Sequence, residues 1–80
     1  MELDILSPDS KIYSGQIKLV QLPGTLGSFG VLKNHAPLIS TLEKGQIKVI
    51  DINNDIHTFE VSEGVVEVLN NHIIALIGSV

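Results

Sequence analysis

The sequence predicts an all-β chain, an antiparallel β-sandwich or flattened barrel of about eight to ten short strands in two sheets. Three observations predict it. Apolar, β-branched-rich segments of four to eight residues recur along the whole chain. Turn text made of Asn, Asp, Gly, Ser and Pro separates them at close intervals, which is the pattern of strands joined by tight connections. No segment carries a helical period long enough to compete.

Residues 3–7 (LDILS) read as an opening strand, stopped by Ser7-Pro8-Asp9-Ser10. Residues 11–15 form a second extended piece with Ser14-Gly15 as its turn. Ile17, Leu19 and Gln21 then alternate with Lys18, Val20 and Leu22, so both faces are partly apolar and the strand is covered on both sides; Pro23-Gly24 ends it. Residues 24–40 (GTLGSFGVLKNHAPLIS) differ from the rest. Glycines at 24, 27 and 30 bracket Leu26, Ser28 and Phe29, and Pro37 biases Ala36 toward extended geometry. This run is expected to be a shaped surface loop that kinks into a new strand.

Residues 38–42 follow as that strand, and Glu43-Lys44-Gly45 turns the chain. Residues 46–52 form the clearest long strand, ended by the hairpin text Asn53-Asn54-Asp55, since Asn and Asp tolerate left-handed turn geometry. Residues 56–61 put His57, Phe59 and Val61 on one face and Thr58 and Glu60 on the other. Ser62-Glu63-Gly64 breaks the pattern, residues 65–69 are β-branched-rich, Asn70-Asn71 is a second Asn turn, and residues 72–77 form the last strand. Residues 1–80 make a single domain without visible linker or repeat.

Composition narrows function. Five lysines, no arginine and nine acids give a net charge of −4. That opposes binding to nucleic acid phosphates and gives no attraction to an anionic bilayer. Three aromatic residues are too few for a base-stacking platform. With no cysteine there is neither a disulfide nor a thiolate site. No run approaches the roughly 20 apolar residues of a spanning helix, so the chain is expected to be soluble.

The glycine run fits neither phosphate-binding glycine motif and is not followed by helix text. Its glycines serve either a tight connection between strands or a loop shaped to touch another protein. His35, His57 and His72 are widely spaced and joined by no cysteine, so no metal site is expected from them. His35 is either a structural hydrogen-bonding group ahead of Pro37 or a contact residue. Ser28 lacks the G-x-S-x-G elbow of a hydrolase nucleophile. No catalytic residue, cofactor or metal is expected, and an enzyme is not expected.

Several segments carry a resemblance. G-x-x-G-x-x-G-V-L-x-x-H-A-P-L-I over residues 24–39, Leu3-Asp4-Ile5-Leu6-Ser7 followed by Tyr13-Ser14-Gly15, Lys44-Gly45-Gln46-Ile47, and Val61-Ser62-Glu63-Gly64-Val65-Val66-Glu67-Val68 lie in that family's order. Together they resemble the N-terminal β-sandwich of the epsilon subunit of F-type ATP synthases, called delta in mitochondria. The resemblance implies a non-catalytic rotor subunit of the central stalk, linking the gamma subunit to the c-ring and coupling proton flow to ATP synthesis. It implies a c-ring contact at Leu26, Gly27, Ser28 and Phe29, and a gamma contact at Ser7, His35, Ala36, Leu38 and Ile39. Many relatives carry carboxylates at the positions of Leu26 and Ser28, so here the ring contact is expected to be apolar and hydrogen-bonded. Lys33-Asn34 replaces the usual Pro-Gly, and Asn34 is expected to keep the left-handed turn. The family's C-terminal helical hairpin has no counterpart in these residues, so neither ATP binding nor inhibition by that arm is implied. The implied location is the cytoplasmic face of the plasma membrane, attached only through the complex. The alternative is a free-standing β-sandwich module for a peptide or small ligand.

Overall fold

The computed structural model describes residues 1–78. Eight strands appear in it: β1 (Glu2–Leu6), β2 (Lys11–Gly24), β3 (Gly27–Leu32), β4 (Leu38–Leu42), β5 (Gly45–Asp51), β6 (Ile56–Val61), β7 (Gly64–Leu69) and β8 (His72–Ile77). β2 organises them. Its first half pairs with β1, and its second half pairs with β5 on one side and β3 on the other. A register shift between Ile17 and Leu19 marks the change of partner. One layer therefore contains β1, β8, β7 and β4 with the start of β2, and the other contains β3, the end of β2, β5 and β6. Gly24 also pairs with Leu42 of β4, which closes the first layer back onto β2. The expected flattened barrel is this ring.

The alternation that suggested strands now has a direction. Leu3, Ile5, Ile17, Val20, Leu22, Val31, Ile47, Val49, Val66, Val68, Ile73 and Ala75 are all at or near zero exposure and form one core between the layers. Among the described residues no polar or charged side chain is buried, so none incurs the cost of an unpaired polar group in this interior. The turns obey the asparagine chemistry. Asn70 and Asn71 have φ of 50° and 61°, both central positions of a two-residue connection, as a type I′ hairpin requires. Asn54 and Asn34 also sit at φ 66°, so the Asn34 expectation holds.

Three readings need correction. Residues 24–40 are not one long surface loop, because Gly27–Leu32 is strand β3 in antiparallel register with β2. The glycines masked a strand whose inward residues, Phe29 and Val31, are spaced by two. Ser14-Gly15 is not a turn either: Gly15 pairs with Leu3 in extended geometry and β2 runs through without a break. Finally, β1 and β8 run parallel, whereas all the other pairings are antiparallel. Both strands border the same ring, and the closing neighbour happens to run the same way.

Candidate functional site

The β2–β3 hairpin turns through Thr25 and Leu26. Gly24 faces Gly27 across it so closely that a Cβ on Gly24 would lie 2.7 Å from the Gly27 carbonyl oxygen and 2.8 Å from the Phe29 ring. Gly27 has φ 131°, a backbone conformation L side chains rarely adopt. These two glycines let Phe29 fold over the hairpin base and pack on the core. The hairpin is also tied sideways. The Thr25 N–H donates to the Thr41 carbonyl at 3.1 Å, and the two threonine hydroxyls lie 2.7 Å apart. Leu26, 102% exposed, projects from this anchored base. Of the four residues assigned to a ring contact, Leu26, Gly27 and Ser28 are exposed at the tip, whereas Phe29 is half-buried and supports them.

The second candidate surface is the outer face of the first layer. Register places Leu6, Leu76, Val65 and Thr41 in one row across β1, β8, β7 and β4. The next row is Asp4, Ile74, Glu67 and Ile39, and the third begins with Glu2 and His72. The face thus grades from apolar at one end to charged at the other. Ile39 is 72% exposed and Leu76 48%, which is costly in water for a side chain with no partner. A shallow groove of about 760 Å³ opens at the apolar end between Leu6, Ser7, Pro8, Thr41, Val65 and Leu76. Exposed apolar patches of this kind mark contacts with other proteins or membranes, or ligand-binding grooves.

The residues assigned to a gamma contact do not all gather there. Ile39 lies on this face and Ser7 on the groove rim. Leu38 points the other way, packing on the core. His35 and Ala36 sit in the β3–β4 connection at the far end of β4, where the His35 Nδ1 lies 2.7 Å from the Ala36 carbonyl oxygen. That connection is held by Asn34, whose N–H donates to Asn71 Oδ1 at 2.6 Å while Asn71 Nδ2 donates back to Asn34 Oδ1 at 3.1 Å. Sequence reading missed Leu6, Val65, Ile74 and Leu76 as surface residues. Their alternation was visible, but which face was covered depended on pairing.

The histidines are better partnered than their spacing suggested. His57 Nε2 lies 2.8 Å from Asp51 Oδ2, and its ring tilts against Tyr13 at 5.3 Å. The His57 bond, then the Asp55 and Asn53 backbone N–H groups, hold the Asp51 carboxyl below its usual range. His72 Nε2 lies 2.8 Å from Asp4 Oδ2 and 3.3 Å from Glu2 Oε1. Asp4 is likewise held low, first by the Ser14 hydroxyl and then by His72. Burial pushes the Tyr13 phenol up, helped by nearby Asp51.

Comparison with known proteins finds relatives along the whole chain. Residues 1–80 match the family described as ATP synthase, Delta/Epsilon chain, beta-sandwich domain. The chain is 35% identical over 79 residues to the ATP synthase epsilon chain of Desulfosudis oleivorans, covering 99% of this chain and 59% of that one. It is 39% identical over 74 residues to that of Chlorobaculum tepidum, covering 92% and 84%. It therefore spans about three fifths of the first of these relatives. Its fold is shared with a chain in the Euglena gracilis mitochondrial ATP synthase, OSCP/F1/c-ring (TM-score 0.87, 18% identity, 94% of this chain and 48% of that one). It is shared too with one in the Tetrahymena thermophila mitochondrial ATP synthase central stalk and c-ring (TM-score 0.82, 14% identity, 98% and 63%).

Proposed function

Since the chain belongs to the ATP synthase delta/epsilon beta-sandwich family, we propose that it is the sandwich part of a central-stalk rotor subunit. In this reading it makes and breaks no bonds. It joins the gamma subunit to the c-ring, so that proton flow stays coupled to ATP synthesis, and it sits at the cytoplasmic face of the plasma membrane through the complex alone. The observation that carries the reading is the anchored hairpin with fully exposed Leu26 at its tip, in a chain that matches this family from end to end. A close-packed sandwich suits the task, because such an interior transmits strain instead of yielding.

The hairpin tip, Leu26, Gly27 and Ser28 with Phe29 beneath it, is the surface for the ring's polar loops. Gamma is the partner for the outer face, through Ser7 and Ile39 together with Leu6, Val65 and Leu76. Leu38 backs that face from the core side, and His35 and Ala36, at the far end of β4, would make a separate edge of the gamma contact. The free-standing binding module is the less favoured reading, because the matched relatives are ATP synthase epsilon chains.

The test places Leu26→Arg and Ser28→Arg in the assembled synthase. Both positions are exposed, so the domain should melt within about 0.5 kcal/mol of the parent. Retention on the rotor and proton-driven ATP synthesis should fall by roughly tenfold, as for loss of one interface anchor. Unchanged synthesis and retention would show that the hairpin does not touch the ring.

A further inference from the structure

We propose that Glu2, Asp4 and His72 form a binding site for a divalent transition cation of the Zn²⁺ class, placed on the parallel seam between β1 and β8. The seam creates it. Parallel register sets His72 beside Glu2, and Asp4, two residues on, shares their face. Three ligating side chains that lie at opposite ends of the chain thereby converge, with their donor atoms all within 4.8 Å of one another.

The spacing matches the chemistry. A tetrahedral Zn²⁺ with nitrogen and oxygen ligands at ~2.0–2.2 Å holds its ligand atoms about 3.3–3.5 Å apart. The His72 Nε2 lies 3.3 Å from Glu2 Oε1 and 2.8 Å from Asp4 Oδ2. Small side-chain rotations open the second distance. The ion takes the place of the proton shared between Nε2 and Asp4, and that proton leaves to solvent.

A third strand orients the site. The Ser14 hydroxyl donates to Asp4 Oδ1 at 2.6 Å, which leaves Oδ2 turned to His72. This is the outer-shell hydrogen bond that fixes a ligating carboxylate. One imidazole with two carboxylates favours Zn²⁺ over Mg²⁺ and Ca²⁺, which demand more oxygen ligands. All three side chains are reached by solvent, so water completes the coordination. A bound ion would pin β1 to β8 where the ring has its parallel closure.

The experiment titrates the purified full chain with ZnCl₂ by calorimetry and follows its melting temperature. The expected result is one ion per chain and a raised melting temperature, with no comparable effect from MgCl₂. His72→Gln and Asp4→Asn should each weaken binding more than tenfold. Ser14→Ala, which removes no ligand, should weaken it about tenfold, whereas His35→Ala and His57→Ala should not change it. Circular dichroism confirms the fold of each variant. The proposal is overturned if the parent shows no saturable Zn²⁺ binding, or if His72→Gln binds as the parent does. It is equally overturned if binding survives both Asp4→Asn and Ser14→Ala, since a lone surface imidazole would then hold the ion.

Discussion

Gly64 begins β7, pairing with Leu42 of β4 on one side and Ile77 of β8 on the other. A Cβ built there would lie 2.5 Å from the Leu76 carbonyl oxygen and 3.1 Å from Ile77 Cα. These are backbone atoms of a strand itself held between β7 and β1, so no rotamer change relieves the clash. Gly64→Ala must spread two ladders, an overpacking that costs about 1–3 kcal/mol. Against the roughly 4–12 kcal/mol available to 80 residues, a loss of about 2 kcal/mol lowers Tm by roughly 8–16 °C. Gly30→Ala is the control. Its Cβ would meet nothing closer than Leu19 Cδ1 at 3.5 Å, and the stiffer unfolded chain should leave stability equal or raised by about 0.4–1 kcal/mol. Differential scanning calorimetry of both variants decides the matter. A Gly64→Ala protein melting within about 2 °C of the parent, or a Gly30→Ala protein falling as far as Gly64→Ala, would refute the close-approach reasoning.

Two further expectations concern the turn and the carboxylates. Asn71→Ala loses both side-chain bonds to Asn34 and leaves a left-handed φ without asparagine's tolerance; it should cost about 2 kcal/mol. Asn70→Ala loses only the turn preference and should cost about 1 kcal/mol; urea midpoints in the opposite order would sink this. Asp4 and Asp51 are both held below the usual 3.8 in the folded state. The stability they contribute is therefore present above about pH 4 and lost as pH falls through their lower folded values. In melts from pH 6 to pH 2.5, Asp4→Asn with Asp51→Asn should start lower and lose less than the parent. An acid-induced drop equal to the parent's would remove these carboxylates from the account.

How far the sequence could be read depended on range. Residues 56–61 alternate and residues 65–69 are rich in β-branched side chains, so strands β6 and β7 could be placed almost to their ends. Asn70-Asn71 announced a hairpin, because a residue's tolerance of positive φ is local chemistry. The glycine-bracketed run was recognised as special, yet strand β3 inside it was hidden. Gly27 and Gly30 weakened the strand signal, and their pairing with β2 restored it. For the candidate site, Leu26 was legible as a tip residue between glycines. That Ser7 lies at the groove end of the same outer face as Ile39, apart from His35, was not.

By itself, the order of residues determined the strand content, the Asn turns and the mostly apolar character of one face of each strand. These follow from steric limits and side-chain character within a few neighbours. Only the tertiary structure decided that β1 lies parallel beside β8, that Leu6, Val65 and Leu76 share an outward row, and that Glu2 and Asp4 face His72. The physical reason is that a strand's pattern names two faces but not its neighbour. The neighbour is chosen by how the whole ring closes around its core, across separations that local periodicity does not reach.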